Sequence, residues 1–120
     1  MGFLTTHVLD TTHGRPAAGV LVELYRIDDG RHHVRSATTN VDGRCAAPLL
    51  PEDEFSAGKY ELVFHAGDYF AAASAGLGEG LGEPKFLDQV VIRFGISDES
   101  QHYHVPLLIS PFGYSTYRGS

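Results

Sequence analysis

Apolar residues in this chain recur at every second position, in short segments separated by glycine, aspartate and proline. In residues 59–64, for example, Tyr60, Leu62 and Phe64 fall on one face of an extended chain. This period is typical of half-buried β-strands and not of helices. The strands it predicts are residues 3–9, 19–27, 31–39, 59–64, 89–96, 102–109 and 112–118, with residues 44–47 as a short edge strand.

The segments between the strands carry turn and helix signals. Asp29-Gly30 and Asp42-Gly43 are Asp-Gly pairs, which tolerate the positive φ of tight hairpins. Residues 67–73 predict one helix of about two turns, with Asp68 as its N-cap. The glycines of residues 76–82 lack the strand before and the helix after that a nucleotide-binding loop needs, so we interpret them as a plain loop. The sequence therefore predicts a mainly β, two-sheet sandwich of about seven or eight strands.

The composition places the chain among ordinary globular proteins and excludes several classes. Its 120 residues, 42% hydrophobic and 20% charged, predict a single domain over residues 1–120. The formal net charge of −6 has the wrong sign for a nucleic-acid partner. Apolar runs fall short of the ~20 residues of a membrane helix, and the opening residues lack the pattern of a signal peptide. We expect a cytoplasmic protein with neither nucleic-acid nor membrane partners.

Histidine is unusually frequent, with seven residues against nine lysines and arginines. His102 and His104 lie two apart in a predicted strand, so their side chains project from the same face. Together with His7 they are either hydrogen-bonded sheet residues without further role or three nitrogen ligands for zinc. A third interpretation is metal-free acid–base chemistry, in which Arg44 or Arg118 holds a developing negative charge.

Other candidate residues carry weaker signals. Cys45 is the single cysteine, so it forms no internal disulfide and favours a reducing compartment. Covalent catalysis by its thiol stays open, but a buried, unreactive thiol is the interpretation we favour. We expect solvent-facing side chains at His13, His32 and His33, which fall in or beside polar turns, and assign no role to His65.

Several motifs together resemble one protein family. They are Leu4-Thr5-Thr6-His7-Val8-Leu9-Asp10 with Gly14-Arg15-Pro16-Ala17, Thr39 with Asp42-Gly43-Arg44, His102-Tyr103-His104-Val105-Pro106-Leu107-Leu108, and Tyr114-Ser115-Thr116-Tyr117-Arg118-Gly119-Ser120. In these residues the chain resembles the 5-hydroxyisourate hydrolases, the transthyretin-related enzymes of urate breakdown. The resemblance extends over essentially the whole chain, and its closing Tyr-Arg-Gly-Ser is the most specific part.

The resemblance implies a fold, an assembly and a pocket. The fold is the transthyretin sandwich, two four-stranded sheets with one short α-helix after the fifth strand. The assembly is a homotetramer, with the active sites in a channel at the dimer–dimer interface. The resemblance further implies a substrate pocket completed by Tyr117, Arg118, Gly119 and Ser120.

The resemblance also implies a reaction, the hydrolytic opening of the cyclic amide of 5-hydroxyisourate to 2-oxo-4-hydroxy-4-carboxy-5-ureidoimidazoline, without metal or cofactor. His7, Arg44 and His104 match the catalytic set. The two histidines would orient and deprotonate water, and Arg44 would stabilise the oxyanion. We add His102 as a substrate-binding candidate, because it shares the strand face of His104. The alternative function is a transthyretin-type small-molecule binding module without catalysis.

Overall fold

The alternating segments form two β-sheets in a computed structural model, which describes residues 2–73 and 82–119. The strands are β1 (Leu4–Asp10), β2 (Arg15–Pro16), β3 (Leu21–Ile27), β4 (Arg31–Thr38), β5 (Gly58–Phe64), β6 (Val90–Ile96), β7 (Tyr103–Ser110) and β8 (Gly113–Thr116). A 3₁₀ turn spans Glu52–Glu54, and the helix α1 spans Ala66–Ala73. The predicted fold class, mainly β with two sheets and one short helix, is confirmed.

The two sheets have four strands each. The first sheet has the order β2-β1-β7-β8 and the second β4-β3-β5-β6. β1 and β7 run parallel, in register from Leu4 opposite Tyr103 to Asp10 opposite Ile109, whereas the other pairs are antiparallel. Strands from the two ends of the chain therefore lie side by side in the middle of the first sheet.

The core lies between the sheets and consists of the side chains on the inward face of each sheet. β1 alternates between buried and half-buried residues along its whole length, as a period of two requires. Leu4 and Val8 of β1 and Leu107 of β7 are fully buried, facing Leu24 and Leu62 of the second sheet. Burying one such leucine stabilises the fold by roughly 1.5–3 kcal/mol. The other face of the first sheet, with His7 on β1 and His104 on β7, is left only half buried.

Helix α1 differs from the prediction at its start. It begins at Ala66, so Asp68 lies within the first turn and is not the N-cap. The prediction was wrong because residues before the apparent start already bond in helical register: the Tyr69 N–H donates to the His65 carbonyl at 3.2 Å. The Tyr69 hydroxyl donates in turn to the Asp10 carboxylate at 2.7 Å, which ties α1 to the end of β1.

Residues 44–47 do not form the predicted edge strand. Arg44 makes one isolated antiparallel bridge to His7, and pairing stops there. Pro48 and Pro51 remove the backbone donors that a longer ladder needs. The predicted loop of residues 76–82 lies outside the described residues except for Gly82, which begins a turn. In the described part of the chain, no helix has the length and apolar character needed to cross a membrane.

Candidate functional site

A cleft of about 390 Å³ lies on the outward face of the first sheet, where β1 and β7 are neighbours. Its lining consists of Phe3, Thr5, Arg44, His102 and His104. The cleft therefore brings three of the predicted site residues, Arg44, His102 and His104, together with residues from the other end of the chain. His7 lies close enough for its charge to influence His104.

His104 is half buried in this cleft and is held by β1. Its Nδ1 atom lies 2.9 Å from the Thr5 hydroxyl oxygen, because Thr5 and His104 are register partners in the parallel pair. Burial lowers the pKa of His104, and the charges of Arg44 and His7 lower it further, against an opposing hydrogen bond with the Thr5 backbone. The ring is consequently neutral at pH 7 and can accept a proton.

Arg44 reaches the cleft from a turn packed against β1. Gly43 adopts φ 74°, and a Cβ atom there would lie 2.4 Å from the Val8 carbonyl oxygen. Only glycine permits both the positive φ and this close approach. The Val8 N–H donates to the Gly43 carbonyl at 2.8 Å, and the Asn40 side-chain oxygen accepts from the Arg44 N–H at 3.2 Å. The Asp-Gly turn predicted from sequence thus positions the backbone of Arg44 beside β1, and the Arg44 side chain lines the cleft with the imidazoles.

His102 is exposed at the rim of the cleft, and its ring orientation is fixed by Phe3. The two rings stack with centroids 5.0 Å apart and an angle of 4° between their planes. The Phe3 N–H donates to Nδ1 of His102 at 3.1 Å. Since a backbone N–H only donates, Nδ1 of the neutral His102 ring is the unprotonated nitrogen, and Nε2 carries the hydrogen.

Gly119 is the closing-motif residue that the structure places beside His104. Its N–H donates to the His104 carbonyl at 2.7 Å, as part of an isolated bridge. A Cβ atom on Gly119 would lie 2.7 Å from Cδ2 of His104, so the absence of a side chain lets the backbone lie against the ring. A larger residue at position 119 would therefore displace the His104 ring or the backbone after β8.

Tyr117 and Arg118 point elsewhere in this protomer. They line a second cavity of about 230 Å³ between the edges of the two sheets. The Arg118 guanidinium lies 4.0 Å above the Tyr103 ring and donates to the His102 carbonyl at 3.1 Å. The resemblance implied one pocket for the whole closing motif, but within one chain the side chains of Tyr117 and Arg118 are apart from the imidazole cleft. Ser120 lies outside the described residues.

The remaining histidines are occupied in polar contacts on other parts of the surface. His32 and His33 are exposed, as predicted, and contact Asp28 and Ser36. Nδ1 of His13 lies 2.5 Å from the Asp10 carboxylate. Nε2 of His65 lies 2.7 Å from Glu23. In each case the polar partner explains the position of the ring without any catalytic role.

Cys45 and the zinc interpretation find no support in the geometry. The Cys45 thiol is partly buried, and burial raises its pKa, which disfavours the nucleophilic thiolate. Within residues 2–73 and 82–119, no three histidine, cysteine or acidic side chains converge as metal ligands would.

Thr5 and Phe3 are the cleft residues that the sequence analysis missed. Nothing in residues 3–9 alone shows that this strand pairs in parallel with residues 102–109. The available signal was the alternation itself, which places Phe3, Thr5 and His7 on one face. Only the register of β1 and β7 reveals that Thr5 lies opposite His104.

Fold and cleft together define a transthyretin-like sandwich that presents imidazoles and a guanidinium on the open face of one sheet. The chain belongs to the HIUase/Transthyretin family, whose model matches residues 4–119. The resemblance noted in the sequence is thereby confirmed.

Individual relatives span nearly the whole chain. A 5-hydroxyisourate hydrolase of Mesorhizobium japonicum is 62% identical over 120 residues, covering 99% of this chain and 93% of the relative. The 5-hydroxyisourate hydrolase 2 of Rhizobium meliloti is 58% identical, covering 99% and 97%. The crystal structure of transthyretin from Sparus aurata matches with a TM-score of 0.80 and 27% identity, covering 97% of this chain and 95% of that one.

Proposed function

We propose that this chain is a 5-hydroxyisourate hydrolase, which opens the cyclic amide of its substrate to 2-oxo-4-hydroxy-4-carboxy-5-ureidoimidazoline in purine catabolism. The observation that carries the proposal is the neutral His104 ring next to Arg44 in the cleft. A proton acceptor and a fixed positive charge are what water attack on an amide requires. The names of relatives at 58% and 62% identity supply the substrate.

The proposed reaction uses side chains alone. His104, assisted by His7, takes a proton from water as the oxygen attacks the amide carbon. The guanidinium of Arg44 stabilises the oxyanion of the tetrahedral intermediate. The carbon–nitrogen bond then breaks, the protonated imidazole returns its proton to the leaving nitrogen, and the carboxylic acid that forms releases its remaining proton to solvent as a carboxylate. Neither the substrate nor the protein changes oxidation state in these steps.

The candidate substrate-binding residues divide by position. His102 carries an Nε2 hydrogen at the rim and would donate it to a ring oxygen of the substrate. Gly119 borders the His104 ring. Tyr117, Arg118 and Ser120 stay candidates through the family resemblance, and Tyr117, 62% exposed, is free to contact a neighbouring subunit.

We also propose a homotetramer in which another subunit covers this face. The cleft lies on an open sheet surface, and a small molecule there would keep one side in water. Binding sites usually enclose most of a ligand. The half-buried Leu9 and Leu108, register partners on the same face, supply apolar surface for such a contact.

A binding module of the transthyretin type is the alternative class. It would need an apolar channel, and it has no use for a neutral imidazole beside a guanidinium. Identity also separates the two classes, at 62% to the hydrolase of Mesorhizobium japonicum and 27% to the transthyretin of Sparus aurata.

The deciding experiment adds the protein to freshly generated 5-hydroxyisourate and follows its ultraviolet absorbance, corrected for spontaneous decay. We expect decay to accelerate in proportion to protein concentration. Substrate binding with no acceleration would favour the binding module and contradict the hydrolase proposal.

A further inference from the structure

His102, just before β7, and His104, within it, turn the same ring atom toward residues 3–5 but meet different partners there. Nδ1 of His102 accepts from the Phe3 N–H, a group that can only donate. Nδ1 of His104 lies 2.9 Å from the Thr5 hydroxyl, which can donate or accept. The contact with the hydroxyl alone therefore leaves both neutral tautomers of His104 possible.

The backbone of Thr5 favours one of them. Burial, Arg44 and His7 each lower the pKa of His104, whereas the hydrogen bond to the Thr5 backbone raises it. A contact that raises the pKa of an imidazole stabilises a ring proton, so the backbone group must be an acceptor, namely the carbonyl. The ring nitrogen that faces Thr5 is Nδ1, which lies 2.9 Å from the Thr5 hydroxyl oxygen. A ring proton that Thr5 stabilises therefore lies on Nδ1, where the hydroxyl can accept it.

We propose that Thr5 is a positioning residue that holds neutral His104 as its Nδ1–H tautomer and leaves the Nε2 lone pair facing the cleft. Phe3 holds His102 in the opposite tautomer, with its hydrogen on Nε2. Phe3 and Thr5 thus make one imidazole a proton acceptor and its neighbour a hydrogen-bond donor.

The catalytic consequence rests on the proposed function. When Nε2 of His104 takes the proton of water, the ring becomes an imidazolium whose Nδ1–H still bonds to Thr5. When the leaving nitrogen takes that proton back, the same tautomer is restored. Were the hydrogen on Nε2 instead, His104 would present a donor to the water and could not act as the base.

The test reads the tautomers directly in the substrate-free protein. Protein labelled with ¹⁵N-histidine is studied above neutral pH by two-bond ¹⁵N–¹H correlation, with His102→Gln and His104→Gln proteins used to assign the signals. We expect the Nδ1–H pattern for His104 and the Nε2–H pattern for His102. An Nε2–H pattern for His104 in the unaltered protein would overturn the proposal.

Matched variants separate positioning from general structural damage. Thr5→Val keeps the branched shape and removes the hydroxyl, so the His104 signals should shift toward the other tautomer and kcat should fall by about tenfold at unchanged KM. Thr5→Ser, which keeps the hydroxyl, should retain the His104 signals and the kcat of the unaltered protein. Thr6→Val is the control, because the buried Thr6 hydroxyl donates to the Val105 carbonyl at 2.7 Å, and this substitution should change neither the His104 signals nor kcat.

The outcomes also distinguish the two proposals. An unshifted His104 spectrum in Thr5→Val would contradict the role of Thr5, even if the protein hydrolyses 5-hydroxyisourate. Failure of the unaltered protein to hydrolyse that substrate would contradict the proposed function, while the tautomer measurement would still decide the role of Thr5.

Discussion

At the scale of single residues, the site depends on what sets the protonation of His104. Partial burial of the ring lowers its pKa most, and the charges of Arg44 and His7 lower it further. In the proposed mechanism, the guanidinium that lowers the pKa of His104 would also stabilise the negative charge of the transition state. One arginine would then act on both the resting and the reacting state.

Replacing the proposed base should remove most of the activity. His104→Ala should lower kcat on 5-hydroxyisourate by at least about 10²-fold, the usual contribution of a general base. His32→Ala is the matched control, because that ring is 61% exposed in a distant hairpin. A His104→Ala protein with near-normal kcat in the absorbance assay would contradict the proposed mechanism.

The pKa of His104 should respond to the charge at position 44. Because the folded pKa lies below the ordinary value of about 6.5, the neutral base persists as the pH falls and is lost only at a lower pH. As the pH is lowered, activity should accordingly begin to fall only below pH ~6.5. Arg44→Gln should raise the pKa, whereas Arg44→Lys should keep it low, as measured by NMR titration of the His104 ring. Equal pKa values in both variants would exclude the guanidinium as a cause.

At the scale of secondary-structure elements, a buried carboxylate connects the helix to the first sheet. Asp10, at the end of β1, is fully buried and accepts hydrogen bonds from Tyr69 of α1 and from His13. Burial opposes its ionisation, but the hydrogen bonds from these two residues outweigh burial and lower the pKa of Asp10. Burial and Asp10 together raise the pKa of Tyr69 to about 12, so its hydroxyl remains a donor.

Removing the helix-side donor should destabilise the protein. Tyr69→Phe leaves the Asp10 carboxylate with one donor fewer, at a cost of about 1–3 kcal/mol in the free energy of unfolding. The control is Tyr25→Phe, because the Tyr25 hydroxyl donates to half-buried Glu23 over a long 3.4 Å contact. Chemical denaturation of both at one protein concentration measures the difference. Equal stabilities would mean that the Asp10 contact does not hold α1.

Sequence reasoning succeeded for elements whose local pattern decides their structure. The alternation in β1 and β7 predicted both strands, because one face of each is buried against the second sheet. It failed for residues 44–47, where pairing with another strand decides the structure: Arg44 makes a single bridge to His7 and no strand forms. The direction of the Arg118 side chain was also not predictable from sequence, because its contact with the Tyr103 ring exists only in the folded chain. The single domain over residues 1–120 stays a prediction.

At the scale of the whole molecule, the open cleft is the reason for proposing an assembly of subunits. The site residues line an outer sheet face, so a neighbouring subunit would complete the enclosure that one chain leaves unfinished. Although the net charge of the chain is −6, one of its nine lysines and arginines, Arg44, lines the cleft.

A charge placed on this face should break the assembly. Leu108→Lys, on the cleft side of the first sheet, should reduce the mass measured by light scattering from that of four chains and lower activity with it. Leu21→Lys, 38% exposed on the outward face of the second sheet, should keep the mass of the unaltered protein. A dissociated Leu108→Lys protein with full activity would contradict a site shared between subunits.

The parallel pairing of β1 with β7 also decides when, during folding, this site can exist. The contact between Thr5 and His104 joins residues 99 positions apart, so the chain must close a loop of nearly its own length before the two meet. Such closure costs entropy that no local contact offsets, which makes it a late and slow event. Regain of activity during refolding would therefore time the joining of the two ends of the chain, and hairpins such as β3–β4 would form well before it.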